Sequence, residues 1–193
     1  LIEHNDDESS GNKAFKSFDA DGFSFQGGGN SSAPNSSSKS MVAWQWLADN
    51  TTGSSNSNGS TASTVSVNQT AGFSIVTWTG TGGATTVGHG LAAKPNMMWI
   101  KNRDTTNNWV VFHDDIGFNA GFLNQNSARD TVGASKYWND TAANTTVFTV
   151  NTDTTVNGSG NSMIAYCFAN VEGFSRFSMY TGNNSTNGSF VHL

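Results

Sequence analysis

The chain has 193 residues, of which Asn, Ser, Thr and Gly fill 92, while charged residues make up 12% and the formal net charge is −5. With Glu at only three positions (Glu3, Glu8, Glu172) and so many residues that favour caps and turns, a helical bundle or coiled coil is excluded. Six Trp, thirteen Phe and three Tyr against two Pro exclude disorder over most of the length, and the scattered Lys and Arg form no patch for nucleic acid or an anionic membrane.

Residues 1–12 carry Glu3, Asp6, Asp7 and Glu8 with little to bury and read as a solvated or partner-stabilised arm. Ala14 to Phe18 and Phe23 to Phe25 alternate aromatic and polar residues and predict two short strands, joined by a turn at Asp19-Ala20-Asp21-Gly22. A Gly/Asn/Ser-rich loop over 26–39 leads to Met41-Val42-Ala43-Trp44-Gln45-Trp46-Leu47, predicted as a buried strand with both Trp on one face. Residues 49–71 are dominated by Ser, Thr, Asn and Gly and read as a linker or an extended loop ending in a weak strand, Thr64 to Val67. Further strands are predicted at Phe73–Thr79, Thr85–Val87, Asn96–Lys101, Asn108–His113, Phe122–Asn124, Val147–Val150, Ser162–Ala169 and Phe174–Tyr180. Short strands at this spacing, separated by Gly, Asn-Gly or Asp turns, point to an all-β fold of antiparallel, jelly-roll-like β-sandwich modules. The apolar runs are of strand length and too short to span a bilayer, and no signal peptide is visible.

A repeat organises these elements. Ser40-Met41-Val42-Ala43-Trp44-Gln45-Trp46 matches Ser162-Met163-Ile164-Ala165-Tyr166-Cys167-Phe168 position by position, 122 residues apart. Ala71-Gly72-Phe73-Ser74 matches Glu172-Gly173-Phe174-Ser175, and after a one-residue slip Trp78-Thr79-Gly80 matches Tyr180-Thr181-Gly182. The expected organisation is a modular array: 1–48 end a first module, 49–71 link, 72–171 form a complete sandwich, and 172–193 begin a further repeat. The missing initiator Met and the final Phe190-Val191-His192-Leu193, which reads as mid-strand, suggest a piece of a longer polypeptide.

The strings Gly72 to Gly80, Val87-Gly88-His89-Gly90-Leu91, Lys94 to Met98, Ile100 to Asp104 and Trp109 to His113 together resemble a repeat module of tailed, particularly marine, bacteriophage structural proteins. Tyr137 to Thr141, Val147 to Val150, Ala165 to Ala169 and Gly173 to Asn183 continue the resemblance, as do Asp21-Gly22-Phe23 and Val42 to Trp46 upstream. The resemblance implies a laminin-G or concanavalin-like sandwich and a virion role, often in tail fibres or other appendages. It implies no catalytic residues.

The residues themselves offer no catalytic set either. His89 between two Gly reads as structural, and His113-Asp114-Asp115 matches no zinc spacing. Asp19-Ala20-Asp21-Gly22 begins like a calcium loop but lacks the downstream Glu. No carboxylate pair suits glycoside hydrolysis, and no nucleophile elbow or phosphate loop is present. Cys167 lies within an apolar strand and reads as a buried inert thiol, without a partner for a disulfide. Asn-x-Ser/Thr sequons at Asn30, Asn50, Asn139 and Asn184, among others, follow from composition. Trp138, with Tyr137 and Asn139 in a polar loop, is the candidate glycan or interface contact. The expectation is therefore a non-enzymatic, oligomeric component of a tailed-phage virion surface, partnered by itself and other virion proteins, with host-surface adhesion as a further role. It needs no cofactor or metal, binds no nucleic acid and inserts into no membrane. The alternative is a carbohydrate-binding, lectin-like module of a cell-surface protein, or a phage capsid decoration protein.

Overall fold

A computed structural model of the chain describes residues 15–25, 37, 40, 42–49, 51–188 and 190. The acidic arm at 1–12, most of the 26–39 loop, Met41 and the last three residues lie outside them. The described chain is all-β and antiparallel, in a sandwich-like arrangement.

Phe15–Asp19 (β1) and Gly22–Phe25 (β2) form a separate two-stranded hairpin around the predicted turn. The Ser17 and Ser24 hydroxyls both donate to Asp19 and hold its carboxyl below the usual range, so the turn chemistry uses this side chain. The main sheet has seven strands: Ser54–Asn56 (β3), Ser63–Asn68 (β4), Phe73–Thr79 (β5), Met97–Asn102 (β7), Val110–His113 (β8), Gly117–Phe122 (β9) and Ser162–Phe168 (β11). Its order is β3-β4-β5-β11-β7-β8-β9. Thr85–Gly88 (β6) and Val147–Val150 (β10) pair as a second, small sheet.

One face of the large sheet builds the main core. Val76, Ala165, Ile100 and Val110 stand in one row across β5, β11, β7 and β8, each fully buried. Against them pack Val87, Phe148 and Val150 of the small sheet, with Val156 from the single-turn helix Thr154–Asn157 (α1). Trp78 meets Phe148 edge-on at 5.6 Å between ring centroids.

At one end the sandwich is closed by amides. Asn157 is buried, accepts from the Thr81 N–H at 2.9 Å and donates to Thr81 Oγ1 at 3.0 Å and to the Gly83 carbonyl at 2.7 Å. Asn102, also buried, donates to the Thr154 carbonyl at 2.8 Å and accepts from the Asp104 N–H at 3.1 Å. The Gly80 and Gly158 backbones touch so closely that a Cβ on Gly80 would collide with the Gly158 carbonyl. Lys101 is buried beside this end, and its ammonium donates to the carbonyls of Asn102 and Thr105, 2.6 Å each. Asn102 and Asn157 thus pair backbone groups at this end that would each cost about 1–3 kcal/mol if buried unpaired.

Three expectations are corrected. The stretch read as a linker, 49–71, supplies β3 as well as the expected strand, now β4, and β4 pairs with β5 from Thr64 opposite Thr77 to Asn68 opposite Phe73. Residues 42–47 form no strand, because the strand they copy, β11, pairs with β5, and β5 already has β4 and β11 on its two edges. For the matching reason 174–180 are not a strand: β11 is flanked by β5 and β7, and only an isolated bridge joins Val171 to Ser175.

Candidate interaction surface

The second face of the large sheet is apolar too. Register places Phe73, Phe168 and Met97 in one row of neighbours, and Ile75, Tyr166, Trp99 and Val111 in the next. Trp99 lies 4.9 Å from Phe168, and Trp109 stacks on Tyr166 at 6.1 Å. Strand sequences that are apolar at successive positions, as in Met97-Met98-Trp99-Ile100, are what two covered faces require.

The cover is partial, and it comes from the two repeat copies. Trp46 sits on Phe168, Trp99 and Phe73 at 5.4, 5.7 and 6.0 Å, with Ala48 buried beside it. Phe177 reaches Phe168 from the other side at 5.3 Å. Side chains of β4, of the turn after β8 and of the residues after β11 tether both segments. Asn68 donates to the Leu47 carbonyl at 3.2 Å and Ser66 accepts from the Asp49 N–H at 3.1 Å. Asn170 accepts from the Phe177 N–H at 2.8 Å and Asp115 from the Met179 N–H at 2.7 Å. Neither 42–47 nor 176–180 makes a backbone ladder bond to another described residue. Among the described residues, seven of the eleven exposed large apolar side chains fall in 42–47 and 174–180: Val42, Trp44, Trp46 and Leu47 in one, Phe174, Met179 and Tyr180 in the other.

The residues singled out in the sequence as a contact site lie elsewhere. Tyr137 and Trp138 belong to a π-helical turn, Ala134–Trp138, that packs into the main core. Trp138 is 1% exposed and meets Phe112 edge-on at 5.5 Å, so no ring face is offered to a sugar. Tyr137 is buried and its hydroxyl donates to Asp130 at 3.2 Å. Asn139 is exposed and ends the turn in the left-handed conformation, φ 51°, which Asn tolerates well. The polar letters around Trp138 hid a one-turn element whose apolar side is only two residues wide.

The remaining reactive types are fastened. His89 is buried; its Nε2 donates to the Asn144 carbonyl at 3.1 Å, which leaves Nδ1 to accept from the Leu91 N–H at 3.2 Å. Burial pushes its pKa down, more than the Asn144 bond raises it. His113 Nδ1 accepts from the Asp115 N–H at 3.1 Å, and Asp114 pairs with Lys94 at 2.7 Å. Burial pushes the Cys167 thiol up to about 12. Among the described residues no group of three or more His, Cys, Asp or Glu is placed to hold a metal ion, and no helix is long and apolar enough to cross a membrane.

An all-β module with one sealed core face and one half-covered aromatic face is the class that fold and surface define. A family model for DUF7483, a domain of unknown function, matches residues 2–193, and the chain belongs to that family. No curated protein and no solved structure gives a significant match.

Proposed function

We propose that the chain is a non-enzymatic structural module of a repeated β array, carried on the virion of a tailed bacteriophage as part of a tail fibre, appendage or other exposed component. The observation that carries the structural part is the placement of the exposed apolar side chains. They concentrate in two segments, 42–47 and 174–180, whose sequences copy two strands that bind each other in the core. A surface of that kind is satisfied by another copy of the same architecture. The fastening of His89, His113 and Asp19 into turns supports the same reading, since each spends its polar atoms on the backbone or on neighbouring hydroxyls. The virion setting rests on the resemblance of the strings around Gly72–Gly80 and Trp109–His113 to phage repeat modules. Its partners are copies of itself and other virion proteins, and the exposed Asn, Ser and Thr of its loops are the groups that would meet a host surface. Mass spectrometry of purified particles tests the setting: the account expects peptides of this chain in the particle at structural copy number, and their absence from particles would refute it.

A further inference from the structure

We infer that residues 43–46 of one copy and 174–177 of a second copy pair as adjacent antiparallel strands, in the register that β11 and β5 use inside the chain. This rests on the structural-module reading above and names the partner of its exposed surface.

The template is complete within one molecule. β11 and β5 pair from Ser162 opposite Thr79 to Phe168 opposite Phe73, with Cys167 opposite Ser74 and Tyr166 opposite Ile75. Carrying the repeat onto that ladder sets Trp46 opposite Phe174, Gln45 opposite Ser175, Trp44 opposite Arg176 and Ala43 opposite Phe177. Three of these four pairs keep the character of their template. Aromatic meets aromatic where Phe168 meets Phe73, a small polar pair replaces Cys167 and Ser74, and Ala faces a large apolar residue as Ala165 faces Val76. Trp44 opposite Arg176 adds a cation over an indole face.

Within the described chain the two segments form no ladder with each other, and neither can take the place of the strand it copies. Both edges of β5 and both edges of β11 are taken, and the free edges of the sheet are β3 and β9, which neither segment resembles. The two segments instead lie across the sheet face as irregular chain, held by side-chain bonds from Asn68, Ser66, Asn170 and Asp115. Trp44 is 73% exposed and Phe174 64%, so one aromatic anchor on each side of the ladder is left in solvent. The glycine before each copy also agrees: Gly72 precedes β5 at φ 65° and Gly173 precedes 174–180 at φ 71°, the same left-handed entry into the strand. Because the two segments differ, the contact is head-to-tail and propagates from copy to copy instead of closing a symmetric dimer.

Disulfide trapping tests this on the full chain. One copy carries Gln45→Cys, another Ser175→Cys, and the two are mixed in equal amounts with oxidised glutathione. Residues facing each other across an antiparallel pair lie about 4.5–5.5 Å apart, within disulfide range. Cys167 stays in place, since its buried thiol, pushed up to about 12, does not compete. The expected result is mixed dimers exceeding either homodimer by about tenfold. A Phe174→Cys copy, whose thiol faces the other side of the strand, is expected to cross-link far less with Gln45→Cys. Statistical proportions, dominant homodimers or no cross-link would overturn the pairing. So would a monomeric disulfide in the double variant Gln45→Cys/Ser175→Cys, which would place the two segments together in one chain. Particles that contain the protein while the mixture fails to cross-link would remove the pairing and leave the structural reading. Mixed dimers from a protein absent from particles would do the reverse.

Discussion

His89 binds its ring through both nitrogens, donating to Asn144 and accepting from Leu91, so only the neutral form fits the site. Its folded-state pKa lies below the unfolded value of about 6.5, so the unfolded chain takes up the proton first. The stability this neutral ring contributes is therefore full above about pH 6.5 and is lost as pH falls through the folded-state pKa. Urea midpoints measured at about pH 7.5 and about pH 5.5 should fall between the two, and His89→Gln should be less stable at the higher pH with a shallower fall. An unchanged slope in the variant would contradict the assignment. Trp138 makes the complementary case: as a core ring it should cost about 3–5 kcal/mol on truncation to Ala, and much less as Phe, in equilibrium unfolding. The Gly88-His89-Gly90 string was legible as a structural turn because glycine on both sides leaves the ring to pack on its own backbone. Trp138 was not, since Lys136, Asn139 and Asp140 give its neighbourhood the composition of a loop while the π-turn rotates the ring inward.

β5 and β10 were legible residue for residue, and β7, β8 and β11 nearly so, because Val, Ile, Phe, Trp and Met cluster there between turn residues. β3 was not, since Ser54-Ser55-Asn56 has no apolar residue and earns its place only by pairing with Ser63–Val65. β9, Gly117–Phe122, was read too late in the chain because two glycines blur its alternation. The consequence for 49–71 is energetic: Val65 is buried and stands opposite Val76. Val65→Asp should destabilise by at least about 3 kcal/mol, since a carboxylate would face the core without a partner. A linker residue would show a change near zero in the same urea titration. Asn157→Ala should cost about 2–3 kcal/mol by leaving the Thr81 N–H and the Gly83 carbonyl unpaired, and Asn157→Asp should not restore the donor pair. Thermal melts of the two variants check this.

At the scale of the molecule, one sheet separates two environments: a sealed core toward β6 and β10, and an aromatic face that, among the described residues, Trp46, Ala48 and Phe177 cover in part. The repeat that announced a modular array is the same feature that leaves 42–47 and 176–180 without ladder partners among the described residues, because each copies a strand whose own position is filled. That juxtaposition could not be read from the sequence, which shows the copies but not that both edges of their counterparts are occupied. Oligomer growth should accordingly depend on both segments, and Trp44→Ser or Phe174→Ser should lower the average mass in sedimentation without lowering the melting temperature of the core. The most direct measurement is amide hydrogen exchange followed by mass spectrometry, from about 1 µM to about 1 mM protein. The account predicts that peptides covering 43–46 and 174–177 gain protection together as concentration rises, while β7 and β8 stay unchanged. Exchange in those two segments that stays fast and independent of concentration would contradict it.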